Sequence, residues 1–97
     1  MGRPPITLAT RLVVSPDQVS ANVAGESVIL GMKDAIYYGL DPVGTRIWEL
    51  LQQPTVLEDV VGALTTEFEV TREQAAADLL AFVVDLHAHG LVEIAEP

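Results

Sequence analysis

The feature that most constrains the fold of this chain is a change in the spacing of its apolar residues at Asp41. Before Asp41, apolar residues either alternate with polar ones or form short runs between turn residues. After Asp41 they recur about every 3.6 residues, which is the period of an α-helix. The sequence therefore predicts a sheet in the N-terminal part of the chain and helices in the C-terminal part.

Three strands are predicted for the N-terminal part. Residues 19–23 alternate between apolar and polar types, and apolar runs follow at 28–32 and 35–40. The pairs Gly25-Glu26 and Lys33-Asp34 separate these three stretches and are typical of turns. Short strands joined by tight turns predict an antiparallel meander.

Three helices are predicted after the meander. Asp41 is a good N-cap residue, and Pro42 falls at the first helical position, where its missing N–H has no cost. Capping-box patterns begin at Thr55 and Thr71 and predict the starts of the second and third helices. Gly90 predicts the end of the third helix, near His89, because glycine suits a left-handed C-cap.

The predicted class is α+β: a three-stranded antiparallel sheet followed by three helices, in a winged-helix-like arrangement. Residues 91–94 predict a short terminal strand, and the run 12–14 is compatible with another short strand. We expect residues 1–10 to form an N-terminal tail and residues 11–95 to form one domain. A chain of 97 residues is long enough for one compact core and little more.

The composition excludes several classes of function. The chain has a formal net charge of −9, which opposes binding to nucleic-acid phosphates. It contains no cysteine, so disulfides and thiolate metal sites are excluded. It has no apolar stretch of the length that a membrane-spanning helix needs. These features predict a cytoplasmic protein without membrane or nucleic-acid partners.

No set of residues in the sequence has the pattern of an active site. His87 and His89 are two residues apart on a predicted helix, so they point in different directions and cannot bind a metal ion together. No phosphate-binding glycine loop or serine nucleophile motif is present. We therefore expect a protein that is not an enzyme and has no cofactor.

The third predicted helix has more apolar residues than one buried stripe requires. The residues predicted to pack against the core are Ala75, Leu79, Phe82 and Leu86, with Val83 beside them. A second apolar set lies about 120° around the helix and consists of Ala76, Leu80 and Val84. Either the domain buries this helix on two sides, or the second set is an exposed wall of a binding groove.

The third predicted strand is a candidate for the other wall of such a groove. In a sequential meander this strand lies at an edge, where its unpaired backbone groups can bind an extended peptide as an additional strand. Tyr37 and Tyr38 point to opposite faces of the strand, so one can pack in the core while the other lines the surface.

Residues 37–51, YYGLDPVGTRIWELL, resemble the PqqD-like family of precursor-peptide recognition elements. The shared pattern is an aromatic strand ending in Leu-Asn, a glycine three residues later, then Ile-Trp and a leucine pair. Asp41 stands where asparagine is common, and both residues are good N-caps. Features at 58–61, Phe68 and 86–91 also fit, so that the resemblance covers about residues 11–95.

The resemblance implies that the chain binds the leader of a ribosomal precursor peptide between its third strand and third helix. The expected leader-binding residues are Asp34, Ala35, Ile36, Tyr37, Tyr38, Gly39, Ala76, Leu80, Val83, Val84 and His87. As a short chain without an enzyme domain, it is most similar to the separate recognition proteins of lasso-peptide pathways. The implied partners are the precursor peptide, a leader peptidase and an ATP-dependent cyclase.

Two alternative functions stay open at this point. A winged-helix DNA-binding regulator needs a basic recognition helix, but residues 71–89 contain one arginine, no lysine and several acidic residues. A recognition protein that serves a radical enzyme of quinone-cofactor biosynthesis would have the same fold with a different partner.

Overall fold

The computed structural model of the protein describes residues 6–16, 18–23, 26–31 and 36–95. The elements are, in chain order, β1 (Arg11–Val14), β2 (Gln18–Val23), β3 (Glu26–Gly31), β4 (Ile36–Leu40), α1 (Pro42–Leu50), β5 (Thr55–Val56), α2 (Leu57–Glu67), α3 (Arg72–Ala88) and β6 (Val92–Ile94). These helices and antiparallel strands confirm the predicted α+β class.

The predicted meander is present, with the strand order β2-β3-β4 and antiparallel pairing throughout. Ile29 is opposite Tyr38, and Leu40 is two residues beyond Tyr38 on the same strand, so these three residues share one face of the sheet. Because Ile29 and Leu40 are buried, this is the inner face. The predicted turn residues Gly25, Lys33 and Asp34 lie outside the described residues, whereas Glu26 is the first residue of β3.

A second antiparallel sheet has the order β5-β1-β6 and was predicted only in part. The short strands expected at 12–14 and 91–94 are β1 and β6, whereas β5 was not predicted. Thr55 was expected to cap α2. Instead it pairs with Leu12 of β1, and its hydroxyl donates a hydrogen bond to the backbone oxygen of Leu50 at 2.9 Å. The prediction of a capping box at Thr55 is therefore wrong, because strand pairing places that residue outside the helix.

The other predicted helix ends are confirmed. Oδ1 of Asp41 accepts a hydrogen bond from the Gly44 amide at 2.7 Å, with Pro42 as the first residue of α1. Oγ1 of Thr71 accepts one from the Gln74 amide at 3.1 Å at the start of α3. Gly90 follows α3 with φ of 74°, a left-handed conformation that glycine adopts without strain.

The hydrophobic core lies between the inner face of the meander, the three helices and the second sheet. Its buried side chains are Leu12, Ile29, Leu40, Ile47, Trp48, Leu51, Leu57, Val60, Val61, Leu64, Ala75, Leu79, Val83, Leu86, Leu91 and Val92. On α3, Val83 is completely buried and Phe82 only partly, which reverses the predicted order of these two residues. The buried residues of α3 are Ala75, Leu79, Val83 and Leu86, with spacings of 4, 4 and 3. Like the predicted stripe, this set lies along one side of a helix.

Residues 6–10 belong to the domain rather than to a separate tail. Ile6 and Leu8 pack against the core, although they are only partly buried. The backbone oxygens of Leu8 and Thr10 accept hydrogen bonds from the first residues of α2, at 2.8 and 3.0 Å. The boundary predicted at residue 11 therefore does not separate packed from unpacked chain.

Candidate functional site

β4 is an end strand of its sheet. Within the described residues, β3 pairs with one side of β4 and no strand pairs with the other. Such an edge presents backbone N–H and C=O groups at the spacing that an incoming extended peptide requires. The prediction that the third strand of the meander is an edge agrees with this strand order.

Tyr38 connects β4 to α3. Its hydroxyl donates a hydrogen bond to Oδ2 of Asp85 at 3.0 Å. Its ring lies edge-on to the His89 ring, with 6.1 Å between the centroids. Nε2 of His89 lies 3.8 Å from Oδ1 of Asp85. A side chain on the inner face of the strand thus contacts the helix directly.

A cavity of about 400 Å³ lies where the end of β4, the start of α1 and the middle of α3 meet. This volume lies within the range of pockets that bind small ligands. The lining residues are Gly39, Leu40 and Asp41 from the end of β4, Val43, Gly44 and Ile47 from α1, and Asp78 and Phe82 from α3. We call this space the β4–α3 cavity.

One side of α3 faces β4 and the cavity. It consists of Asp78, Phe82 and Asp85, with His89 at the C-cap. These residues are spaced by 4, 3 and 4 positions, which places them in one row along the helix. We call this row the β4-facing side of α3.

Carboxylates dominate the charge around the cavity. Asp41 and Asp78 are exposed lining residues, and none of the lining residues that the structure describes is a lysine or arginine. Gln74 Nε2 donates to Oδ1 of Asp78 at 2.8 Å. Arg46 of α1 points elsewhere, since its guanidinium binds the Glu67 carboxylate at 2.7 and 3.0 Å, and this hydrogen bonding raises the pKa of Arg46 above its ordinary value.

The strand residues predicted to bind the leader fall into three groups. Asp34 and Ala35 lie outside the described residues. Ile36 and Tyr37 are described only as backbone within β4. Tyr38 and Gly39 lie where β4 approaches α3. Tyr38 contacts Asp85 of α3, and Gly39 lines the β4–α3 cavity.

Most of the helix residues predicted to bind the leader lie away from β4. At about 100° per residue, this predicted set is half a turn from the β4-facing side. We call it the opposite side of α3, and it consists of Ala76, Leu80, Val84 and His87. Ala76 and Leu80 are partly buried against the core, whereas Val84 is 50% exposed. Val83 has no exposed surface, so it supports the helix from within the core and presents nothing to a ligand.

Most of the residues that line the cavity were not predicted from sequence, and Gly39 is the exception. Phe82 was assigned to the core, and Asp78 and Asp85 were not considered as site residues. Their spacing and their polar character were visible in the sequence, but a search for surplus apolar residues does not find them. The contribution of Val43 and Asp41 depends on how α1 meets the end of β4, which only the tertiary structure reveals.

The chemistry of the described residues is that of a binding site. No three histidine, aspartate or glutamate side chains in the described part of the chain lie close enough together to bind a metal ion. Among those same residues, no helix combines the length and apolar character needed to cross a bilayer. The site offers hydrogen-bonding backbone from β4, apolar surface from α1 and Phe82, and carboxylates from α1 and α3.

A family model of known proteins matches the part of the chain that forms the cavity. The family model described as coenzyme PQQ synthesis protein D (PqqD) matches residues 26–92. The chain belongs to the PqqD family. The matched segment contains β4, α1 and α3, which are the elements that form the cavity. A comparison with the curated proteins found no match.

Two solved structures have the same fold as this PqqD-family protein. One is described as TbiB1 in complex with the TbiA(beta) leader peptide; it is 35% identical, has a TM-score of 0.76, and the alignment covers 88% of this chain and 99% of that chain. The other is described as lasso peptide synthetase B1 complexed with the leader peptide; it is 27% identical with a TM-score of 0.74, and the alignment covers 84% and 96% of the two chains.

Proposed function

We propose that this protein binds the leader segment of a lasso-peptide precursor as an additional strand along β4 and presents it to a leader peptidase. The observation that carries this proposal is the edge of β4 beside the cavity and the β4-facing side of α3. An edge strand supplies affinity through backbone hydrogen bonds, and a neighbouring cavity supplies a pocket for one side chain.

The relatives support the same function. Both solved structures are described as complexes with a leader peptide, and nearly the whole of each relative aligns with this chain. Lasso-peptide biosynthesis is therefore a better assignment than quinone-cofactor biosynthesis, although the family model takes its description from the latter.

The contact set that we propose differs from the one predicted from sequence. Tyr38 stays in it, and Ile36, Tyr37 and Gly39 contribute backbone groups because they belong to β4. On the helix, Phe82 and its neighbours on the β4-facing side replace the opposite side of α3. A single strand added to β4 cannot reach residues half a turn around the helix.

Strand addition is tested with a series of N-methylated leader peptides. The parent peptide is the leader of the cognate precursor, and its binding is measured by calorimetry. We expect a Kd in the low micromolar range, which corresponds to about −8 kcal/mol. N-methylation at every second position should weaken binding strongly, while the intervening positions tolerate it, because alternate amides of a strand face its partner.

Each outcome of this titration has a consequence. The absence of binding by the parent leader would overturn the proposed function. Binding without a period of two along the peptide would contradict strand addition while leaving leader recognition intact. The N-methyl groups are on the peptide, so the fold of the protein is not perturbed and needs no separate control.

We also propose that binding leaves the leader chemically unchanged. Mass spectrometry of the leader after incubation with the purified protein should show the original mass. In the proposed pathway a peptidase and an ATP-dependent cyclase then act on the presented precursor. Cleavage should therefore begin only when the peptidase is added. Cleavage by this protein alone would contradict a purely binding role.

A DNA-binding role is the competing proposal, and the charge of α3 opposes it. The only arginine of α3, Arg72, forms an ion pair with Glu58 of α2, and the helix also has Glu73, Asp78 and Asp85. Phosphate recognition requires basic residues on the recognition helix. Gel-shift titration with duplex DNA at physiological salt should show no complex.

A further inference from the structure

The β4–α3 cavity has apolar walls and a charged rim. Val43, Ile47 and Phe82 supply the apolar wall, and the carboxylates of Asp41 and Asp78 lie at the exposed rim. An occupant must therefore match both an apolar body and a cluster of negative charge.

The two rim carboxylates keep part of their bonding capacity. Oδ1 of Asp41 accepts from the Gly44 amide, and Oδ1 of Asp78 accepts from Gln74, at 2.7 and 2.8 Å. No described residue binds the second oxygen of either carboxylate. Arg46 of α1 and Arg72 of α3 form ion pairs with Glu67 and Glu58, not with the two rim aspartates. The charge at the rim is therefore available to a ligand.

These observations distinguish between classes of occupant. A purely apolar side chain would take water away from two carboxylates without replacing their hydrogen bonds, which is costly. An acidic side chain would be repelled. A lysine or arginine side chain places its aliphatic stem along the apolar wall and its charged head at the rim. The ring of Phe82 adds a favourable surface for a cation.

We propose that the β4–α3 cavity binds a lysine or arginine side chain of the leader and thereby selects leaders with a basic residue at that position. This inference rests on the proposed function, because the leader strand along β4 is what brings a side chain to the cavity. The chain's net charge of −9 acts in the same direction, since it favours the approach of a basic segment.

The test begins with a display library of random 15-residue peptides selected on the full-length protein. We expect enriched peptides to share a lysine or arginine at one fixed position relative to their apolar residues. Enrichment without such a position would overturn the cavity assignment and leave peptide binding intact. A failure to enrich any peptide would count against both the cavity assignment and the proposed function.

An enriched peptide is then compared with an analogue in which norleucine replaces the basic residue. On the native protein, the analogue should bind about tenfold more weakly, which is 1.4 kcal/mol. On the Asp41→Asn/Asp78→Asn protein, the two peptides should bind equally within about twofold, because the charge at the rim is gone. Asparagine is as good an N-cap as aspartate, so α1 keeps its start.

The matched control is Asp59→Asn/Glu69→Gln, which removes two negative charges, as the rim variant does. Asp59 and Glu69 are exposed and are not among the described lining residues of the cavity, so these substitutions change net charge without changing the rim. The control should leave the tenfold difference between the two peptides in place. Equal loss of the difference in the control protein would mean that overall charge, and not the cavity, selects the basic residue, which would overturn the proposal.

Discussion

The two sides of α3 that flank its buried stripe differ in a way that sequence patterns conceal. The β4-facing side contains two carboxylates, a phenylalanine and a histidine, while the opposite side is apolar apart from His87. Yet the more polar side borders the cavity. Part of the apolar side instead packs against the core, through Ala76 and Leu80. A groove that adds a strand to a sheet is hydrated when empty, so polar residues are tolerated there. The surplus of apolar residues on α3 therefore does not mark the side that borders the cavity.

The largest expected effect tests which residues separate the two sides. Leu79 is completely buried between them, so Leu79→Ala should lower the free energy of unfolding by about 3 kcal/mol through lost burial and a cavity. Phe82→Ala should cost about half as much or less, because Phe82 is only partly buried. Urea denaturation measures both. Equal losses would return Phe82 to the core stripe predicted from sequence.

The next effect concerns leader binding and compares two apolar residues two positions apart. Phe82→Ala should weaken leader binding at least about tenfold, or 1.4 kcal/mol, because it removes part of the cavity wall. Val84→Ala should change it by less than about twofold, because Val84 lies on the opposite side. Calorimetry on proteins shown to be folded by circular dichroism gives both values. The reverse ranking would restore the groove predicted from sequence.

A smaller effect is expected for the contact that joins β4 to α3. Tyr38→Phe removes the hydrogen bond to Asp85 and should lower stability by about 1 kcal/mol or less, because the bond is exposed. A double-mutant cycle with Asp85→Ala isolates this bond from other contacts of the two residues. A coupling energy near zero would show that the hydrogen bond does not hold the strand and helix together.

The sequence predicted the elements of the fold well because their signals are local. The N-caps at Asp41 and Thr71 and the C-cap glycine at Gly90 depend only on neighbouring residues, and the structure confirms them. The strand β5 was not predicted because it has only two residues and forms by pairing with β1, which is distant in the chain. Its presence could not be inferred from a local pattern.

The candidate site beside β4 was predicted less completely than the fold. The edge position of β4 follows from the order of a meander, and the strand half of the site could therefore be placed from sequence. The helix half depends on the rotation of α3 about its axis, and Phe82 and Val83 differ by only about 100°. Both are large and apolar, so hydrophobicity alone could not determine which one is buried. Only the packing of α3 in the folded protein shows it: Val83 lies in the core, and the side of α3 that contains Asp85 faces Tyr38 of β4.

The smallest effect tests whether the outer face of β4 is free of ligand contacts. Gly39 alternates with Tyr38 and Leu40, so a side chain there would point to the outer face, where a Cβ would meet nothing within 4 Å. Gly39→Ala should therefore raise stability by about 0.5 kcal/mol, by reducing the freedom of the unfolded chain. It should leave leader affinity within about twofold. Gly90→Ala is the matched control and should destabilise the protein, because Gly90 has a φ of 74°. A gain in stability for Gly39→Ala together with a large loss of leader affinity would mean that the leader crosses the outer face of β4 as well as its edge.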